Sequence, residues 1–209
     1  MASRLGIYKA ALRYLGNAAG VASLTEASPA RLALDDVWQE AGDYMLAKGL
    51  WNFAIRTVQL SEDEDVEPLF GYQYAFSKPD DWVRTASISI DPAFQDGFED
   101  FADEGDYWYA NSETLYIRYV SSDDAYGWNI GAWREPFAQA FACYLAFQCA
   151  LPLTSDKGSR NDLFNLSKTL LTEAKTLDAV DERVAMSPAG RLVKSRLRRG
   201  SLSGTRRGL

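Results

Sequence analysis

The chain has 209 residues, 47% hydrophobic and 24% charged, with 22 basic against 29 acidic residues and no histidine. That length supports one domain with a substantial core, and the composition argues against wholesale disorder. The missing histidine excludes Ser-His-Asp and Cys-His nucleophile systems and imidazole zinc sites, and no apolar run approaches the roughly 18 residues that suggest a membrane span.

The net charge of −7 hides an uneven distribution. Residues 189–209 carry seven basic and no acidic residues, whereas the preceding 188 hold fifteen basic and all twenty-nine acidic ones, a net of −14. An acidic body and a basic tail that docks on something anionic are expected. With no cleavable apolar segment at the N-terminus, the expected compartment is the cytoplasm.

Residues 3–15 are expected to form a helix, with Leu5, Tyr8, Leu12 and Leu15 at three- and four-residue steps and Gly16 at its end. Ser28-Pro29 supplies an N-cap and a first-turn proline for a second helix. That helix should end at Gly49 and bury Leu32, Leu34, Val37, Trp38, Ala41, Met45 and Leu46. Residues 50–60 turn to β character, with Trp51, Phe53 and Ile55 on one face. Residues 61–67 (Ser-Glu-Asp-Glu-Asp-Val-Glu) read as a solvated acidic loop, because they lack the spacing, glycine and distal glutamate of an EF-hand.

Residues 70–85 combine five aromatic side chains with Lys78-Pro79-Asp80-Asp81, which suits a type I turn. The strand that follows should alternate Trp82, Arg84, Ala86, Ile88 and Ile90 against an outward face of Val83, Thr85, Ser87 and Ser89. A second acidic loop is expected over residues 91–106, relieved by Phe94, Phe98 and Phe101. From residue 62 to 106 fourteen acidic side chains oppose only Lys78 and Arg84. Residues 107–110 and 114–120 are expected to pair as a hairpin across Asn111-Ser112-Glu113.

Helical patterning resumes at Pro136, with Phe137, Phe141, Tyr144, Leu145 and Gln148 on one face until Leu151-Pro152 stops it. Cys143 and Cys149 lie on this helix about 9 Å apart, beyond the ~7 Å reach of a disulfide, and read as small buried hydrophobes. Ser155 or Asp156 should cap a fourth helix carrying Leu163, Leu166, Leu170, Leu171, Ala174 and Leu177 inward, until Ser187-Pro188 punctuates it. Residues 188–199 suit a short basic helix.

An α+β fold follows: mainly a helical bundle (residues 1–49 and 130–187), a small antiparallel sheet insertion with acidic loops (50–129) and an extended basic C-terminal tail (188–209). Asp80 and Asp81 beside aromatic side chains loosely resemble a carbohydrate-cleaving site, but adjacent carboxyls lack the separation across a cleft that glycoside hydrolysis needs. No phosphate-binding glycine loop is present. The tail offers phosphate contacts but no aromatic side chain for base stacking, and a protein partner with an acidic groove fits its arginines equally well.

Several blocks in order resemble one family: Ser23-Leu24-Thr25-Glu26, Trp51-Asn52-Phe53-Ala54-Ile55-Arg56-Thr57, the stretch 70–85, Tyr107-Trp108-Tyr109-Ala110, Tyr116-Ile117-Arg118-Tyr119-Val120, and Trp133-Arg134-Glu135-Pro136-Phe137. Together they are similar to the tail tubular protein A family of short-tailed bacteriophages, over nearly the whole chain to about residue 177. The resemblance implies a structural virion protein of the tail, present in host cytoplasm during assembly, with no enzymatic activity and no cofactor. It would form a ring, commonly twelve-fold, between portal and tail nozzle, with DNA passing through the channel without specific binding. Its implied partners are further copies of itself, the portal protein, the nozzle protein and tail fibres.

On that reading Arg191, Leu192, Lys194, Arg196, Leu197, Arg198, Arg199, Arg206 and Arg207 form the portal-docking tail. Glu62, Asp63, Glu64, Asp65, Phe70, Tyr72, Tyr74, Asp96, Phe98 and Phe101 are candidates for nozzle or subunit contact. The alternative reading is a carbohydrate-active or receptor-binding tail component built on the aromatic and acidic middle. A third is a basic-tailed DNA binder.

Overall fold

The computed structural model describes residues 2–16, 20–68, 70–94 and 98–180. The basic tail expected over 188–209, with all nine of its docking residues, lies outside the described residues, and so does Asp96.

The first helix, α1, spans Arg4–Tyr14; the Ser3 hydroxyl accepts from the Gly6 N–H at 3.1 Å, and Gly16 follows at a φ of +69°. The second, α2, spans Pro29–Ala47, capped by Ser28, whose hydroxyl accepts from the Arg31 N–H. Its inward stripe is Leu34, Trp38, Ala41, Met45 and Leu46, as expected, but Leu32 is 52% exposed. At 100° per residue Leu32 lies about 160° around the helix from Leu34, on the solvent side.

The strand expected from residue 50 begins only at Ile55. Trp51 is fully buried and its Nε1–H donates to the Met45 carbonyl at 3.0 Å, so the chain turns through a 3-10 segment, Asn52–Ala54, before extending. Among the described residues six strands follow: β1 (Ile55–Ser61), β2 (Tyr74–Ser77), β3 (Trp82–Ser89), β4 (Phe101–Glu104), β5 (Tyr107–Ala110) and β6 (Thr114–Ser121). They form two three-stranded antiparallel sheets, in the orders β1-β6-β3 and β2-β5-β4, where one sheet was expected.

The expected hairpin over 107–120 does not form. Asn111-Ser112-Glu113 instead carries the chain from one sheet to the other, and β5 pairs with β2 and β4 while β6 pairs with β1 and β3. Alternation in β5 and β6 is satisfied either way, because Trp108 and Ala110 meet Leu115, Ile117 and Tyr119 in one core between the sheets. The true hairpin is β4–β5, whose first strand and turn lie within the stretch expected to be an acidic loop. Its two-residue turn places Gly105 at φ +56°, and Asp106 is not at positive φ, the signature of a type II′ turn.

Two register shifts, at Trp82/Arg84 and Thr85/Ser87, break the alternation expected of β3. The two shifts offset each other, so Ile88 stays buried as expected; Ser89 is buried as well, and Ile90, expected inward, lies just past the end of the strand and is 54% exposed.

The third helix, α3 (Glu135–Thr154), runs through Pro152 and ends two residues later at Thr154, capped by Ser155 in the left-handed region. A proline in the last turn removes one helical hydrogen bond without closing the helix. By length and composition α3 could cross a membrane, contrary to expectation; it packs instead against α1, α2 and α4, the fourth helix (Lys157–Val180). A helix apolar all round is what a position between three others requires. On α4, Leu163 and Ala174 are buried, but Leu166 and Leu177, expected inward, are exposed.

The result is an α+β protein with two cores among the described residues. The larger joins the helices to one side of the first sheet through Trp51, Ala54 and Val120, and the smaller lies between the sheets.

Candidate interaction surface

In the second sheet, cross-strand partners share a face. Tyr74, Ala110 and Phe101 form one row, and Phe76, Trp108 and Asp103 the next, both turned toward the first sheet. The alternate rows, Ala75-Tyr109-Ala102 and Ser77-Tyr107-Glu104, therefore face the other way. This separates the aromatic candidates. Tyr74, Phe98 and Phe101 pack against the inter-sheet core, with Phe98 and Phe101 stacked at 6.3 Å. Phe70 is exposed and meets Tyr109 at 4.9 Å and Tyr72 at 5.8 Å. Tyr109 in turn neighbours Tyr107 at 6.2 Å.

The acidic candidates border that aromatic row. Asp63 is tied down: its backbone N–H donates to the Ala75 carbonyl at 2.8 Å, and its carboxylate accepts from the Ser77 hydroxyl and, at 3.2 Å, from the Asp65 N–H. Glu62, Glu64 and Asp65 are exposed. Among the described residues, no three Cys, Asp or Glu side chains are grouped to hold a metal ion.

Two polar nodes fix this surface to the rest of the protein. In the first, the Asp81 carboxylate accepts from Tyr119 at 2.9 Å and from Ser121, and pairs with Arg56 at 2.9 Å, while its backbone carbonyl accepts the Ser122 N–H at 2.8 Å. Burial opposes ionisation of this carboxyl, but the bonds from Ser121, Arg56 and Tyr119 outweigh it and hold it below the usual carboxylate range. The Tyr119 hydroxyl is pushed up, by burial and then by its bond to Asp81. Both Asp81 oxygens are thus engaged by structural partners, whereas Asp80 beside it is exposed.

In the second node the Lys78 side chain, only 6% exposed, lies 4.1 Å over the Trp82 ring. Its ammonium pairs with Asp103 at 2.6 Å and donates to the Gly105 carbonyl at 2.7 Å. Asp103 also accepts from Thr85 and from the Trp108 Nε1–H, both at 3.1 Å. Thr85 belongs to β3 and Asp103 to β4, so the node bolts one sheet to the other. No spacing in the sequence announces it, because its members lie on four separate elements.

A third feature lies near the start of β3. Arg84 Nη1 donates to the carbonyl of Ala47, the last residue of α2, at 3.5 Å, beside exposed Lys48. Lys175 on α4 is held below the ordinary lysine range, by burial first and then by the positive charges of Arg84 and Lys48. This basic group was missed in sequence because its three members are far apart in the chain.

Cys143 and Cys149 are both buried free thiols, pushed up by burial to about 11 and about 12. Compared with known proteins, the chain matches no family model, and no curated protein matches it.

Proposed function

We propose that this chain is a structural virion protein, a ring-forming head-to-tail adaptor that joins a portal to a tail tube and contributes to the wall of the DNA channel. The observation that carries the reading is the ordered set of blocks similar to the tail tubular protein A family. Those blocks fall on the joints of the fold. Trp51 and Trp133 lie in the helical core, Arg56, Asp81 and Tyr119 meet in one polar node, and Lys78 and Trp108 meet in the other. Side chains with mutual structural roles of this kind suit a rigid building block.

In this proposal the four helices act as the bundle, the two sheets project as the contact module, and residues 188–209 form the basic tail that docks on the portal. The acidic body suits a conduit, since negative walls do not hold a sliding polyanion. The engagement of Asp81 by Arg56, Tyr119 and Ser121 favours this reading over a carbohydrate-cleaving one, because that carboxylate is committed to holding strands together.

The test is truncation at Pro188 followed by co-assembly with the portal. The proposal expects a folded, soluble truncated protein that no longer docks. Undiminished docking refutes the role given to the tail, and turnover of a polysaccharide by the full chain refutes the adaptor reading.

A further inference from the structure

The basic group at the end of α2 and the acidic loop after β1 are both exposed, and they occupy opposite ends of the first sheet. Arg84 pairs in register with Val120, which pairs with Ile55 at the start of β1. Ser61, at the other end of β1, is six residues further on, about 20 Å along the strand. Glu62, Glu64 and Asp65 follow it directly.

At the basic end three elements converge. Arg84 reaches the Ala47 carbonyl beside Lys48. Asn52 then fastens α4 alongside: its N–H donates to the Asp178 carboxylate at 2.9 Å and its side-chain amide to the Asp178 carbonyl at 2.8 Å. Lys175 lies one turn before Asp178, and Leu50, 45% exposed, sits between Lys48 and Asn52. Among the described residues the ion pairs belong to Arg4, Arg31, Arg56 and Lys78, so Lys48, Arg84 and Lys175 have no carboxylate partner there. Three like charges at this end, with exposed Leu50 two residues beyond Lys48, in a body with a large acidic excess, form a surface complementary to the same chain's acidic loop.

A single molecule cannot bring surfaces about 20 Å apart on one rigid sheet together, but a second copy can. We infer that copies of this chain associate head to tail, with Glu62, Glu64 and Asp65 of one subunit set against Lys48, Arg84 and Lys175 of the next and Leu50 as the apolar contact. Such a contact is heterologous, and heterologous contacts close into rings when the rotation allows. The inference rests on the proposed ring-forming role and names the surfaces that build it. A nucleic-acid phosphate is the weaker occupant, because the surrounding acidic body repels a polyanion.

The test uses two full-length variants, Lys48→Glu/Arg84→Glu/Lys175→Glu and Glu62→Lys/Glu64→Lys/Asp65→Lys, with circular dichroism to verify folding. Sedimentation velocity across a concentration series should show self-association of the wild type weakened about tenfold or more in each variant alone. It should return when the two are mixed in equal amounts, since each then presents the charge the other lacks. High salt should weaken wild-type association as screening shortens the reach of these charges. A wild type that stays monomeric throughout, variants that associate like wild type, or a mixture that does not recover each overturn the inference. So does duplex DNA binding lost in the first variant with self-association unchanged. Rings that form on the portal with both variants would remove this contact and leave the adaptor reading standing.

Discussion

The Tyr119 hydroxyl donates to the Asp81 carboxylate at 2.9 Å, joining the turn before β3 to the middle strand of the first sheet. Arg56 on β1 pairs with the same carboxylate, so one side chain ties the turn to both β1 and β6. Asp81→Asn keeps the shape but removes the charge that Arg56 and two hydroxyls satisfy. It should cost about 1.5–3 kcal/mol in urea unfolding at neutral pH, the range for hydrogen bonds to a charged group. Because the folded carboxyl is held below its ordinary value, this stability is fully present above the unfolded carboxylate range and is lost as pH falls through the folded value. The gap between wild type and Asp81→Asn should therefore be constant from pH 7 to about 5 and narrow below about 4.

Lys78 supplies a second test, because its ammonium is held between an aromatic face and a carboxylate. Lys78→Met retains the stem and should cost about 1–2 kcal/mol, from the lost ion pair and cation–π contact. Pairing it with Asp103→Leu should cost less than the sum of the single changes, since each single variant strands the other's partner. Denaturation followed by tryptophan fluorescence reports this directly, as Trp82 and Trp108 flank the lysine.

Gly42 reverses an ordinary rule. Replacing a helical glycine with alanine normally stabilises by about 1 kcal/mol. Here a Cβ would lie 2.0 Å from the Trp128 ring, which is itself packed against Trp38 and Trp133. Gly42→Ala should therefore destabilise by about 1–3 kcal/mol, as overpacked cores do. A rise in thermal midpoint would contradict the close approach of α2 to that ring.

Local signals in the sequence located the helices well, because caps such as Ser28-Pro29 and Gly16 act within four residues of themselves. Strand partnership was less legible. Period-two alternation tells which side chains share a face but not which strand lies alongside, so Tyr107–Ala110 was assigned to the wrong neighbour. Gly105-Asp106 did carry a hairpin signal, masked by the surrounding acids. Of the candidate contact residues, the exposed trio Glu62, Glu64 and Asp65 was readable from charge alone. The partial burial of Tyr74 and Phe101 depended on a second sheet that alternation does not announce, and the Lys48–Arg84–Lys175 group depended on tertiary convergence.

The two cysteines should be inert in the folded protein. Burial pushes the thiols to about 11 and about 12, so thiolate is scarce at neutral pH, and both sulfurs are enclosed by α3 and its neighbours. A thiol-reactive chromogen should label neither in native buffer at pH 7.5 and both in denaturant. Rapid native labelling at either site would contradict the packing of α3.

The central claim is that this chain is a ring-forming adaptor, and electron-microscopic class averages of the purified protein, alone and mixed with portal, test it most directly. The account predicts closed rings seated coaxially on the portal, commonly twelve-fold, with the acidic sheets directed away from it. Averages showing only isolated monomers in the presence of portal, with no added density on the portal itself, would contradict it.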